Sequence, residues 1–127
     1  MPEASALAEI EALLSRYFDA LHTSDPASLG EVMHPAAIYA SASERPMLVR
    51  TMDEYLPIVA ARPSPASRGE PRRDQIDMID LAGDDTALAK VRCSIGDRDF
   101  TDYLSLVRER GRWRIMAKIF HSTTRGN

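Results

Sequence analysis

The sequence predicts an α+β fold in which a strongly curved, mostly antiparallel β-sheet wraps around three N-terminal helices to form a cone. Two observations support this prediction. Apolar residues recur at helical spacing near the start of the chain, whereas the final third alternates apolar and polar residues. Glycine-containing turns separate the alternating segments, as in an antiparallel meander. These turns are Gly83-Asp84, Gly96-Asp97 and Arg110-Gly111.

The first helix is predicted from an apolar stripe that faces away from a charged side. Glu9, Glu11, Arg16 and Asp19 lie on the charged side. The stripe consists of Leu7, Ile10, Leu14, Tyr17, Phe18 and Leu21. This pattern is typical of a long amphipathic helix packed on a core.

A short second helix is predicted to begin at Asp25-Pro26, because aspartate is a favoured N-cap and proline presets the first helical turn. We expect it to stop at His34-Pro35, since the residue before a proline avoids the helical conformation. Its apolar residues are Leu29, Val32 and Met33. Two short strands should follow, at residues 37–40 and 47–50, with Tyr39 among their side chains.

The third helix is predicted from the capping-box spacing of Thr51 and Glu54. It should run through Ala61 and be kinked by Pro57, which cannot donate to the helical hydrogen-bond ladder. Residues 62–73 are rich in proline and arginine and are predicted to form a mobile loop.

The register of the last two strands decides which residues face the core. Pairing Glu109 with Arg112 would place Asp102 opposite Ile119, Leu104 opposite Ala117 and Leu106 opposite Ile115. Asp102 would then be the lone acid on an apolar face that includes Ala87, Ala89, Val91 and Cys93. The other face would carry Lys90, Arg92, Thr101, Tyr103, Ser105, Arg114, Met116, Lys118 and Phe120. A slip of one residue would exchange the two sets.

Composition narrows the class of protein. A chain of 127 residues predicts one domain over residues 1–127, and 44% hydrophobic with 28% charged residues is ordinary for a globular protein. The net charge of −3, without a basic patch, argues against nucleic-acid binding. The first residues lack a signal-peptide pattern and no apolar stretch approaches bilayer length, so no membrane association is expected.

Cys93 is the only cysteine, which excludes an internal disulfide and suggests a reducing compartment, so we expect a cytoplasmic protein. Its place in an apolar strand predicts a small buried side chain rather than a nucleophile. The three histidines are well separated, so we expect neither a metal site nor a cofactor.

Helices laid into a bent sheet leave a cone-shaped space between them, which is a common place for a pocket. Asp102 and the diagonally placed His121 are its predicted polar groups. The predicted lining residues are Tyr17, Phe18, Val32, Tyr39, Tyr55, Val59, Val91, Phe100, Leu104 and Ile119. For each aromatic residue, burial in the core explains the pattern more simply than ligand contact does.

The order and spacing of several short segments resemble the nuclear transport factor 2-like superfamily. Within it the chain is similar to the putative lumazine-binding branch, near the polyketide-cyclase-like (SnoaL-like) group. The segments are Tyr17-Phe18 with Leu21, His34-Pro35, Arg50-Thr51 with Glu54-Tyr55-Leu56, residues 100–106, residues 111–115, and Lys118. The resemblance implies a cone-shaped fold, a homodimer formed through the sheets, and a pocket that catalyses isomerisation, dehydration or cyclisation in some members. The predicted dimer surface comprises Thr101, Tyr103, Met116, Lys118 and Phe120.

Asp102 supports three hypotheses. As an enzyme residue it would be a general acid or base, with His121 as proton partner and Tyr17, Tyr39 or Tyr55 donating to a substrate oxygen. Burial would raise its pKa and a nearby imidazolium would lower it, and the sequence does not decide between them. In the second hypothesis the cone binds a small apolar or heteroaromatic molecule without turnover. In the third, which the sequence favours for this residue, Asp102 is a structural acid that accepts hydrogen bonds from His121, a tyrosine or the backbone.

The four arginines of the 62–73 loop allow two interpretations of its positive charge. They would either steer an anion toward the mouth of the cone or form a solvated run of charge, and the absence of a glycine-rich phosphate cradle favours the second. These residues are Arg62, Arg68, Arg72 and Arg73.

Overall fold

Three helices pack against one face of a six-stranded sheet in the computed structural model, which describes residues 2–125. The helices are α1 (Pro2–Thr23), α2 (Pro26–Val32) and α3 (Met52–Ala61). The strands are β1 (Met33–Ser41), β2 (Leu48–Thr51), β3 (Gln75–Ala82), β4 (Thr86–Ile95), β5 (Arg98–Glu109) and β6 (Arg112–Thr124). A single 3₁₀ turn, Ala66–Arg68, lies in the segment before β3.

The sheet is curved, open and mostly antiparallel, with the strand order β2-β1-β6-β5-β4-β3. The pair of β1 and β6 is parallel, and the other neighbouring strands are antiparallel. This arrangement confirms the predicted α+β class and its cone shape. Among the described residues, no helix combines the length and apolar character needed to cross a bilayer.

The helix boundaries follow from their caps. The Asp25 carboxylate accepts hydrogen bonds from the amides of Ala27 and Ser28 at the start of α2. At α3 the Thr51 hydroxyl accepts from the Glu54 amide, and the Glu54 carboxylate accepts from the Thr51 amide, which confirms the predicted capping box.

The first strand begins earlier than predicted. Met33, expected at the end of α2, already has extended backbone geometry and pairs with Ile115 of β6. The strand therefore includes His34-Pro35 and runs to Ser41, rather than covering only residues 37–40. A helix that passes directly into a strand leaves no turn residues to mark the boundary, so the sequence shows only where the helix must stop.

One hydrophobic core lies between the helices and the inner face of the sheet. The helices contribute Ile10, Leu13, Leu14, Tyr17, Leu29, Val32, Tyr55 and Val59, while the sheet contributes Met33, Ala87, Ala89, Val91, Leu104, Leu106, Trp113 and Ile115. Their close packing is what fixes the sheet against the helices.

The predicted register of β5 and β6 is right near the turn and wrong beyond it. Leu106 pairs with Ile115 as predicted, but Ser105 pairs with Ala117, so Met116 is an extra residue on β6. This β-bulge shifts every later pair by one residue. Leu104 therefore pairs with Lys118 instead of Ala117, and Asp102 pairs with Phe120 instead of Ile119.

The bulge exchanges the two faces of β6 beyond Met116. Lys118 and Phe120, predicted on the outer face, are each 5% exposed and face the helices. Ile119 is 46% exposed and His121 is exposed, so both lie on the outer face rather than in the cone. The inward position predicted for Ile119 and His121 was wrong because the alternation of side chains was extended through a bulge that the sequence does not mark.

Candidate functional site

Asp102 lies at the centre of the inner face of the sheet. The alternation of β5 turns Asp102, Leu104 and Leu106 inward, and the aspartate side chain is fully buried. Val91 of β4 and Phe120 of β6 are its neighbours across the strands. A carboxylate in such surroundings requires partners, because a buried charge without them is costly.

Tyr17 of α1 supplies the hydrogen bond to this carboxylate. Its hydroxyl donates to Oδ2 of Asp102 at 2.7 Å. The second oxygen, Oδ1, is buried and has no hydrogen-bond partner among the described residues. Asp102 thus retains one acceptor oxygen that no described residue satisfies.

Lys118 of β6 supplies the opposite charge. Its ammonium nitrogen lies 3.9 Å from Oδ2 of Asp102, and both side chains are almost completely buried. No imidazole takes part in this pair, since His121 lies on the other face of the sheet. The charged group beside Asp102 is therefore the Lys118 ammonium and not the predicted His121 imidazole.

Four aromatic rings surround the lysine ammonium, and we call them the aromatic cage. The nitrogen lies 5.2 Å from the ring centre of Tyr17, 5.3 Å from that of Tyr39, 5.5 Å from that of Phe120 and 5.9 Å from that of Tyr55. Rings at these distances attract a cation through their negative faces. The cage explains how a lysine is held in an otherwise apolar interior.

The rings of the cage also pack on one another. Tyr39 and Tyr55 stack with ring centres 4.1 Å apart, and Phe120 tilts against Tyr39 at 4.9 Å. Phe100, half-buried, packs on Phe120 at 5.7 Å. Tyr39 on β1 is only half-buried, so it is the ring at which the cage comes nearest to the surface.

The pKa values of the cluster reflect this burial. Burial alone would lower the pKa of Lys118, but the nearby Asp102 charge and the Tyr55 and Tyr39 oxygens outweigh it, so the lysine pKa is raised. Burial, assisted by the negative charge of Asp102, raises the pKa of Tyr17 well above its usual value. Tyr17 is therefore a neutral donor and Lys118 a cation at neutral pH.

Cys93 lies on the inner face near this cluster. It is a free, buried thiol, and burial raises its pKa from 9.0 to about 12. A thiol with that pKa carries almost no nucleophilic thiolate at neutral pH. The structure thus agrees with a packing role for Cys93.

The structure brings together most, but not all, of the residues predicted to line the cone. Tyr17, Tyr55, Val91 and Leu104 are buried beside Asp102, while Ile119 lies outside. Of the predicted dimer surface, Thr101, Tyr103 and Met116 lie on the outer face and Lys118 and Phe120 lie within.

Lys118 is the residue of the Asp102 cluster that sequence reasoning misplaced. The segment from Ile115 to Phe120 contains apolar residues at both odd and even positions, so either parity is compatible with it. One signal for the inward position of Lys118 is Phe120, two residues later on the same face. A large aromatic side chain is more often buried than exposed on an outer face.

The four loop arginines have different surroundings. Arg72 pairs with Asp19 and Asp74, and Arg68 lies 3.7 Å from Glu70. Arg73 is exposed. Arg62 is half-buried, and its Nε and Nη2 atoms are buried without a hydrogen-bond partner among the described residues.

Two clefts are found away from the Asp102 cluster. One, with a volume of about 620 Å³, separates the start of α1 from the hairpin of β3 and β4 and is lined by Ser5, Ala6, Glu9, Leu81, Gly83, Asp84 and Arg108. The other, of about 180 Å³, lies between α1 and α2. Neither cleft is lined by Asp102 or by the aromatic cage.

Residues 5–121 match the family described as putative lumazine-binding. The chain belongs to the putative lumazine-binding family. A comparison with curated proteins found no match.

Solved structures share the fold of this family member. A nuclear transport factor 2-like protein of unknown function from Silicibacter pomeroyi DSS-3 is 20% identical, with 97% of this chain and 100% of that chain covered and a TM-score of 0.82. One of unknown function from Shewanella baltica OS155 is 18% identical, covering 97% and 98%, with a TM-score of 0.85. A ketosteroid isomerase-like protein from Erwinia carotovora atroseptica SCRI1043 is 14% identical, covering 93% and 96%, with a TM-score of 0.72.

Proposed function

We propose that this lumazine-binding family member binds a small, largely apolar or heteroaromatic molecule inside the cone, beside Asp102. The observation that carries the proposal is the buried Oδ1 of Asp102, which lacks a hydrogen-bond partner among the described residues. An unsatisfied buried acceptor costs stability, so its retention favours a role in holding a donor from outside the chain.

The chemistry of the cluster indicates what such a ligand would present. Oδ1 of Asp102 accepts an N–H or O–H, and the Lys118 ammonium donates to a carbonyl or similar oxygen. The stacked rings of Tyr39 and Tyr55 suit a flat molecule. A heteroaromatic ring with adjacent N–H and C=O groups, such as the lumazine of the family's name, meets all three requirements.

Entry to this site requires the cage to open. Tyr39, half-buried on β1, is the ring of the cage nearest the surface, whereas Tyr17 and Tyr55 are buried on helices. We therefore infer that rotation of Tyr39 admits the ligand. Its replacement by alanine should increase the rate of binding of any ligand of the cone, measured by stopped-flow fluorescence.

The proposal is tested by a thermal-shift screen of the wild-type protein against pterins, steroids and small polyketides. A ligand of the cone raises the melting temperature, because it binds only the folded state. Asp102→Asn should reduce that rise, whereas Asp80→Asn, an exposed acid on β3, should leave it unchanged. Equal shifts in both variants would place the ligand elsewhere.

Catalysis is the second candidate, as an isomerase, dehydratase or cyclase with Asp102 as general acid or base. The observation in its favour is that Oδ1 of Asp102 has no described partner, while Oδ2 of the same carboxylate contacts Tyr17 and Lys118. A base beside two groups able to stabilise an oxyanion is suited to proton abstraction next to a carbonyl.

The two candidates differ in the effect of Asp102→Asn on a bound substrate. Loss of turnover with binding retained would indicate catalysis, whereas loss of binding without any turnover in the wild type would indicate a binding protein. His121→Gln serves as the matched control, because His121 lies on the outer face and should not affect turnover.

We further propose a homodimer formed through the outer face of the sheet. Val49, Ala40, Ile119, Tyr103, Lys90 and Met78 pair in sequence across all six strands, and we call them the outer row. Four members are large apolar side chains that are at least 42% exposed. Four exposed apolar side chains in one row across a sheet face support association with a second copy.

Sedimentation of Tyr103→Glu tests this surface, with Ile58→Glu on α3 as the control. Tyr103 is 52% exposed in the middle of the outer row, and Ile58 is 39% exposed on the opposite side of the molecule. The first variant should be monomeric and the second dimeric. A Tyr103→Glu variant that remains dimeric would exclude the outer row as the interface.

A further inference from the structure

Arg62 has an unusual environment among the arginines of this protein. It caps the C-terminus of α3 with extended backbone geometry and is half-buried. Its Nε and Nη2 atoms are both buried, and neither has a hydrogen-bond partner among the described residues. These two nitrogens lie on the same edge of the planar guanidinium group, so their N–H bonds point in nearly parallel directions.

Other arginines show how such an edge is normally satisfied. Nε of Arg72 donates to Oδ2 of Asp74, and Nη2 of the same edge lies 2.7 Å from that oxygen. Arg114 also has a buried Nε without a partner, but its Nη2 donates to Glu109 at 3.1 Å. In the described part of the chain, Arg62 is therefore distinguished by having both donors of one edge buried and open.

The position of Arg62 gives a second reason to expect an anion near the cone. Lys118 and Asp102 neutralise each other within their ion pair. The positive charges of Lys118 and Arg62 both oppose the rise in the Tyr39 pKa that burial causes, and both act on Cys93 in the same direction. Arg62 also follows the buried Tyr55 and Val59 at helical spacing, which places it on the side of α3 that faces the cage.

A carboxylate is the group that matches these donors. Its two oxygens accept two parallel N–H bonds from one guanidinium edge, with a length and direction that few other groups reproduce.

We propose that the Nε and Nη2 edge of Arg62 binds the carboxylate of a small aromatic or apolar carboxylic acid whose body lies in the cone. This inference rests on the proposed binding function and specifies its ligand class. Asp102 and Lys118 then contact the far end of the same molecule, and Arg62 fixes its orientation.

The experiment compares an acid with its neutral isostere. The probes are 2-naphthoate and 2-naphthamide, which share shape and ring system but differ in charge, and calorimetric titration measures their affinities. The variants are Arg62→Gln, Arg62→Lys and, as a control with the same loss of charge, Arg73→Gln. Circular dichroism confirms that each variant is folded.

The wild type and Arg73→Gln should prefer the acid by roughly one to two orders of magnitude, as expected for a charged hydrogen-bonded pair. Arg62→Gln should abolish the preference. Arg62→Lys should retain only part of it, because lysine keeps the charge but not the planar pair of donors.

Two results would overturn the inference in distinguishable ways. Equal affinity of the wild type for the acid and the amide would exclude the carboxylate contact while leaving binding in the cone intact. Failure of both probes to bind at millimolar concentration, together with no response in the thermal-shift screen, would exclude the binding function as well.

Discussion

The ammonium of Lys118 lies 3.9 Å from Oδ2 of Asp102, although the two residues are diagonal rather than direct neighbours across the strands. Direct pairing joins Lys118 to Leu104 and Asp102 to Phe120. Diagonal neighbours are far enough apart that only a long side chain can close the gap. The ion pair at the centre of this fold thus depends on the length of lysine and on the bulge at Met116 that turns it inward.

This relationship predicts strong coupling between the two residues. Asp102→Asn and Lys118→Met should each destabilise the protein by about 3–5 kcal/mol, because each leaves the other charge buried without its partner. The double variant should lose less than the sum of the two. Urea denaturation of all four proteins gives the coupling free energy, and additive losses would show that the charges do not interact.

The Tyr17 hydroxyl predicts a separate loss of stability. Tyr17→Phe removes the 2.7 Å hydrogen bond to a buried carboxylate, which should cost about 1.5–3 kcal/mol. Tyr103→Phe is the matched control, since Tyr103 is half-exposed on the outer face. Equal unfolding free energies for the two variants would mean that the Tyr17 bond contributes nothing.

Inward-facing Phe120 and outward-facing Ile119 form a direct test of the register. Phe120→Ala should cost about 3–5 kcal/mol through the cavity it creates, whereas Ile119→Ala should cost far less in the monomer, where that side chain is already 46% exposed. Thermal or chemical unfolding measures both. If Ile119→Ala destabilised the protein more than Phe120→Ala, the register without the bulge would be the correct one.

The protein should lose stability at alkaline pH. The pKa values of Cys93, Tyr17, Tyr39 and Lys118 are all raised in the folded state above their ordinary values of 9.0, 10.0, 10.0 and 10.5. The folded protein then holds protons that the unfolded chain has released, so the unfolding free energy falls as the pH rises above about 9. Each such group contributes a slope of about 1.4 kcal/mol per pH unit within its own window.

Urea denaturation at a series of alkaline pH values measures this slope. Cys93→Ala should delay the onset of the decline, because the thiol has the lowest ordinary pKa of the four groups and a folded pKa of about 12. An unfolding free energy that is flat from neutral pH to well above pH 10 would contradict the raised pKa values.

Sequence reasoning predicted the features that depend on local chemistry. The Asp25 cap, the capping box at Thr51 and Glu54 and the glycine turns each satisfy backbone groups within a few residues, so their patterns are readable directly. The inward position of Asp102 was also predictable, because the side chains of β5 alternate between the two faces without a bulge.

The features that sequence reasoning missed depend on contacts between distant segments. The bulge at Met116 inverted the assignments of Lys118 and His121, and no turn residue or glycine marks it. The open edge of Arg62 is likewise a property of what surrounds the side chain in three dimensions. The four arginines of that segment look alike in sequence, and only the structure shows that Arg62 has buried nitrogens without a described partner.

The position of β6 has a consequence for how the chain reaches this structure. β6 follows every other strand along the chain but lies between β1 and β5 in the sheet. During synthesis on the ribosome, β1 and β2 therefore have only each other as sheet partners until β6 emerges. We expect the nascent chain to expose unpaired strand edges until then, and such edges favour aggregation.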